Sequence, residues 1–147
     1  MPTERMHVPV PVDEAALREV AERFGLAFVA LFGSAAKGRM IRESDADIAV
    51  WAEPLPEDEG ARADWTIDLS TALAEAIPHG EGIDLVVLNR APSLLQFQVA
   101  RHGIPLEERV PGSWSRFKSY AARRYDDDAR FRRAQREYLR RRYVHQQ

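Results

Sequence analysis

Asp45 and Asp47 stand two residues apart at the head of the run "ADIAVWA". On a strand, residues i and i+2 point to the same side with Cα atoms roughly 6–7 Å apart, at about 3.3 Å per residue. The two carboxylates would therefore aim at one spot. Two like charges that lose water together repel each other unless a cation sits between them. Magnesium suits such a place, because it takes oxygen ligands and accompanies phosphate. Taken alone, the pair is equally readable as the solvated start of a strand. Asp84 adds a second observation, since it leads the apolar run "GIDLVVL" and would be buried there without a partner. If that strand lies beside "ADIAVWA", three carboxylates converge. Such a set serves two divalent ions about 3.5–4 Å apart, which activate an attacking oxygen and stabilise a leaving one.

A second group of residues points to phosphate. Gly33 and Ser34 close the apolar run "LAFVALF". A glycine lets the backbone approach a ligand closely, a serine supplies a hydroxyl and an N–H, and a helix beginning there would aim unpaired N–H groups outward. Lys37, Arg39 and Arg42 follow in the same loop and could neutralise a triphosphate or simply be surface charges; Lys37 is the favoured one. In this reading Gly33 and Ser34 hold the β- and γ-phosphates, and the metals on Asp45 and Asp47 bridge the triphosphate to the attacking group.

Positioning these groups requires a small sheet. Asp13 is a candidate N-cap, Val12 can staple to Leu17, and Leu17, Val20, Ala21 and Phe24 recur with helical spacing up to a stop at Gly25. Residues 26–33 form a continuous apolar run, as a strand buried on both faces does. After a second strand at 46–52 and the surface connection "EPLPEDEG", a helix is predicted over about 61–77, with Trp65, Leu69, Leu73, Ala76 and Ile77 on one face, ended by Pro78 and Gly80. A third strand at 82–88 leads to a helix with Pro92 in its first turn and a stop at His102-Gly103, then to a short edge strand at 104–108, where Pro105 does least harm. From Ser113 the spacing predicts two helices, or one broken at Asp126-Asp127-Asp128. The order α-β-β-α-β-α-β-α gives an α/β (α+β) fold, with helices on a small mixed sheet.

Composition narrows the chemistry. With 147 residues, 45% of them apolar, one core is expected. Without cysteine there is no disulfide, thiolate nucleophile or Cys-bound zinc, so any metal must be held by oxygen. No apolar run spans a membrane and the N-terminal residues lack a signal-peptide pattern, so the cytoplasm is the expected location. Residues 1–111 carry 10 Lys/Arg against 19 Asp/Glu, whereas residues 112–147 carry 11 against 4. A basic tail on an acidic body points to a partner surface or a polyanion, or to no more than a solvated helix face. Trp51, Trp65 and the tyrosines read as packing residues. His79 and His102 have no ligand-spaced companion, and the acidic triplet reads as solvated.

The segment "GSAAKGRMIRESDAD" resembles the Gly-Ser-x10-Asp-x-Asp signature of the DNA polymerase β-like nucleotidyltransferase superfamily, and Asp84 falls where its third carboxylate would. Over about residues 15–110 the chain is similar to the minimal nucleotidyltransferases, the MntA-like antitoxins paired with HEPN-domain toxins. Lys37 stands where that family more often has arginine. The resemblance implies a minimal nucleotidyltransferase domain over 1–111 and a helical basic extension over 112–147 packed on it. It also implies transfer of AMP from ATP to a tyrosine hydroxyl of a partner HEPN RNase toxin, with two Mg²⁺ ions. Asp45, Asp47 and Asp84 would be the catalytic and metal-binding residues, and Gly33, Ser34, Lys37, Arg39 and Arg42 would bind the nucleotide. Direct nucleic-acid binding is not expected. The spacing Arg140-x4-His145 is reminiscent of the HEPN ribonuclease motif but lies on a helical tail without a bundle to hold it. Two other readings stand beside the main one: a small-molecule nucleotidyltransferase of the aminoglycoside-modifying type, and an antitoxin that masks its partner by binding alone. The first usually needs a substantial C-terminal domain around its substrate. A protein acceptor brings its own surface.

Overall fold

The computed structural model describes residues 10–33, 46–78 and 82–144, with side chains as far as Arg142. Ser34, Lys37, Arg39, Arg42 and Asp45 lie outside the described residues, as do the helix expected at Gly33-Ser34, His79, Gly80 and His145. Helix α1 (Glu14–Phe24) begins where the Asp13 side chain accepts the Ala16 N–H at 3.1 Å and ends at Gly25, whose φ of 66° is left-handed. Strand β1 (Leu26–Phe32) is buried on both faces except at Phe32. Strand β2 (Ala46–Ala52) and helix α2 (Glu59–Ala76) follow. The helix starts two residues before the position expected from its apolar spacing, because Asp58 caps it through the Ala61 N–H at 2.8 Å. Strand β3 (Ile83–Val87), a single 3-10 turn (Leu88–Arg90), helix α3 (Ser93–His102) and strand β4 (Ile104–Glu108) lead to the long helix α4 (Ser113–Val144). Pro92 sits just before α3 rather than in its first turn.

The strands form one mixed sheet in the order β3-β2-β1-β4. β1 is antiparallel to β2 and to β4, whereas β2 and β3 are parallel and joined through α2. A parallel neighbour requires such a crossover, since a tight turn can only reverse the chain. One face of the sheet carries Val29, Leu31, Ile48 and Val50 and packs on Leu17 and Val20 of α1 and Leu69 and Leu73 of α2. The other carries Phe28, Ala30 and Ala49 and packs on Val99 of α3 and Trp114, Phe117 and Ala121 of α4. This two-sided burial is why β1 reads as an unbroken apolar run.

Two polar bridges tie the second layer together. Gln96, fully buried on α3, donates to the Leu88 carbonyl at 2.7 Å and accepts from Arg124 of α4 at 2.8 Å. The same guanidinium reaches the Ala91 carbonyl at 3.1 Å. Asn89 pairs with both backbone groups of Ala52, each at 2.9 Å, and so supplies a further rung beyond the end of β3. At the start of α4, Glu108 accepts from the Trp114 and Gly112 N–H groups at 3.1 and 3.4 Å.

The acidic triplet does not interrupt α4, which runs unbroken through Asp126-Asp127-Asp128. Asp126 and Asp128 stand four residues before Arg130 and Arg132, and Asp127 four after Arg123. Opposite charges at that spacing support a helix.

Replacing Gln96 by leucine would strip the Leu88 carbonyl and Arg124 of their partners. The expected cost is about 1–3 kcal/mol in urea denaturation with an unchanged slope. Asp127→Ala, at an exposed position, should stay within about 0.5 kcal/mol of the parent.

Candidate functional site

The site grows out of the β2–β3 pairing. In the parallel register Ala46 faces Ile83, Asp47 faces Asp84 and Ile48 faces Leu85. In-register neighbours on adjacent strands have Cα atoms about 4.8 Å apart and side chains on the same face. Asp47 alternates with Ala49 and Trp51, and Asp84 with Val86, residues of the face packed on α3 and α4. The carboxylates therefore stand on that face, at the end where β2 and β3 begin. Asp47 is half-buried and Asp84 exposed, so this end of the face is open. Like charges directly opposite each other on neighbouring strands are destabilising. A fold that keeps such a pair in register spends stability on it.

On the other side of Asp47 lies the end of β1. Phe32 is its antiparallel partner, and Gly33 follows with φ at 72°. A Cβ built on Gly33 would fall upon the Asp47 Oδ2 atom and lie 3.1 Å from its Cγ. Glycine is thus required here twice, by the left-handed backbone and by the carboxylate against it. The chain enters the Ser34–Asp45 segment from a point in contact with the Asp47 side chain.

Of the residues singled out from the sequence, the structure brings Gly33, Asp47 and Asp84 together. Among the described residues no cluster of three or more metal-ligating side chains occurs. The described donors are two carboxylates on one face, which is oxygen chemistry suited to a hard divalent cation and offers nothing for a soft one. Gly33 ends β1 at the same place, with the Asp47 carboxylate against it where a Cβ would stand.

The sequence reading missed Asn89. Its bidentate clasp on Ala52 holds the far end of the β2–β3 pair, with no signal beyond an amide placed just after an apolar strand. It also missed a cleft of about 260 Å³ lined by Phe28, Trp51, Glu53, Arg116, Phe117 and Tyr120. Trp51 is four residues along β2 from Asp47, about 13 Å at strand rise, so this cleft stands apart from the carboxylates. Its rings pack on one another, Trp51 lying 5.9 Å from both Phe117 and Tyr120 between centroids.

Known proteins share this fold. The family described as "Polymerase beta, Nucleotidyltransferase" is matched over residues 16–111. None of the curated proteins matches the chain. Among solved structures the chain is similar to a toxin–antitoxin crystallised with AMP-PNP, at 27% identity and a TM-score of 0.64, covering 87% of this chain and 98% of that one. It is similar to the MntA–HepT toxin–antitoxin at 25% identity and a TM-score of 0.58, covering 86% and 96%. A third is a tri-AMPylated Shewanella oneidensis HEPN toxin in complex with an MNT antitoxin, at 25% identity and a TM-score of 0.58, covering 86% and 95%.

Two substitutions test the site without an activity assay. Asp84→Asn relieves the like-charge contact and should raise the stability of metal-free protein by about 0.2–1 kcal/mol, while removing the gain in melting temperature given by Mg²⁺ with ATP. Gly33→Ala should cost about 1–2 kcal/mol from the left-handed backbone alone, with further loss from the displaced Asp47. Thermal melts with and without Mg²⁺ and ATP read both.

Proposed function

The chain belongs to the polymerase beta nucleotidyltransferase family, and from that premise we propose that it is an antitoxin that transfers AMP from ATP to a tyrosine hydroxyl of a HEPN-family RNase toxin. The observation that carries the reading is the in-register pair Asp47 and Asp84 beside Gly33. The similar structures support it, since one holds AMP-PNP and another a tri-AMPylated HEPN toxin. Asp84 is exposed on an edge strand, so an acceptor carried on another protein's surface reaches it without a pocket having to open. That favours a protein acceptor over a small molecule of the aminoglycoside kind.

In this reading Asp47 and Asp84, with Asp45, would hold magnesium, which would supply positive charge to offset the negative charge developing on the phosphate oxygens. Gly33 and Ser34 take the β- and γ-phosphates, and Lys37, Arg39 and Arg42 balance the charge of the triphosphate. Asp84 orients the tyrosine hydroxyl and accepts its proton. A new bond forms between the tyrosine oxygen and the α-phosphorus as the bond to pyrophosphate breaks, and pyrophosphate leaves toward Gly33 and Ser34.

Purified protein incubated with ATP, Mg²⁺ and a candidate HEPN toxin should add AMP to the toxin, read by intact mass. Asp47→Asn should slow the addition by on the order of 100-fold or more, with an unchanged circular dichroism spectrum. A variant that adds no AMP yet silences the RNase as fully as the parent would mean that masking, not transfer, is the mechanism.

A further inference from the structure

The second half of α4 projects from the body. Its packing residues Trp114, Phe117 and Ala121 and the stack of Tyr125 on Phe97, at 4.3 Å between centroids, all lie in the first half. From Arg130 to Arg142 every residue is exposed, a stretch about 20 Å long at helical rise. This arm is not simply polar. Phe131 and Tyr138 are 68% and 61% exposed, and at helical spacing they share one side with Ala134 and Gln135. Leu139 borders that side. Arg132 and Arg136 flank it on one edge, Arg130 and Arg141 on the other. Residues 129–144 hold seven arginines against one glutamate. An apolar stripe with tyrosine, set between arginines, has the composition of a protein interface.

The body carries a surface of the opposite charge. α1 and α2 pack side by side on the far face of the sheet from α4. Residues 10–24 and 57–76, which contain them, hold ten acidic side chains against three basic ones, Arg18, Arg23 and Arg62. On α2, Asp64, Asp68 and Glu75 are exposed, and Ile67, 65% exposed, lies beside them on the side toward β3. Ile67 lines an open groove with Ala63, Thr66 and Val87, bordered by Glu59, Arg62 and Arg90. The sheet stands between this surface and α4 of the same molecule. The two surfaces can therefore meet only between molecules.

We propose that the arm docks on the α1–α2 face of a second copy of this chain, with the Phe131–Tyr138 stripe over Ile67 and the flanking arginines against Asp64, Asp68 and Glu75. Each molecule carries both surfaces, so with the two copies related by a two-fold axis the contact is made twice and association stops at a dimer. The proposal does not depend on the catalytic reading, and self-association should weaken as salt rises.

The test uses nuclease-treated, full-length protein in analytical ultracentrifugation. One variant carries Arg130→Glu, Arg136→Glu and Arg141→Glu; the other carries Asp64→Lys and Asp68→Lys. The parent should be a dimer at micromolar concentration, and each variant alone should associate at least tenfold more weakly, with unchanged helicity. Mixed in equal amounts, the two variants should dimerise again, because reversed arm then meets reversed face and native arm meets native face. A monomeric parent, variants that still dimerise, or a mixture that does not recover would each overturn the proposal. So would a monomeric parent that retains a labelled single-stranded RNA through the same arginines, which would assign the arm to nucleic acid.

Discussion

Two carboxylates on adjacent parallel strands, set opposite each other by the register of β2 and β3, are the constraint on which the candidate site depends. Asp47 and Asp84 repel, and an ordinary sheet would place a neutral or opposite charge at one of these positions. The parallel register cannot slip by one residue without moving Ile48 and Leu85 off the face packed on α1 and α2 and onto the one packed on α3 and α4. Apolar burial on the α1–α2 face therefore holds the acidic pair on the other face. The packing of one layer thus sets where the carboxylates stand on the other.

The scaffold concentrates its constraints along β2. The α2 crossover makes the neighbouring strand parallel, Asn89 extends the pairing past the end of β3, and the close approach of Gly33 to Asp47 fixes where β1 releases the chain. The Gln96–Arg124 bridge anchors α3 to α4 over the same face. Asp84 is thus presented, exposed, on the edge strand β3, with Asp47 on the strand beside it. Among the described residues no helix is long and apolar enough to cross a membrane.

Much of this was legible in the residues. Apolar runs marked β1, β2 and β3, and β4 was legible as a short edge strand around Pro105; Asp84, expected to be buried by its strand, is instead exposed near the start of the edge strand β3. The continuous burial of β1 said that both faces were covered, but not that both its neighbours run antiparallel, since periodicity reports burial and carries no direction. The unbroken α4 was misread because three adjacent aspartates look like a break, whereas their arginine partners four residues away act along the helix. Asn89 and Gln96 escaped notice for a different reason. Their partners Ala52 and Arg124 are 37 and 28 residues distant, and single polar side chains give no periodic signal. Ser34, Lys37, Arg39, Arg42 and Asp45 rest on the motif and on the family alone.

The central claim is that Asp47 and Asp84 share a divalent cation where nucleotide phosphates bind. Crystals grown with Mn²⁺ and a non-hydrolysable ATP analogue, measured at the manganese absorption edge, test it most directly. An anomalous peak is expected within bonding distance of both carboxylates, with the analogue's phosphates against Gly33. A nucleotide bound with its phosphates elsewhere, or manganese ordered at a site that touches neither aspartate, would contradict it.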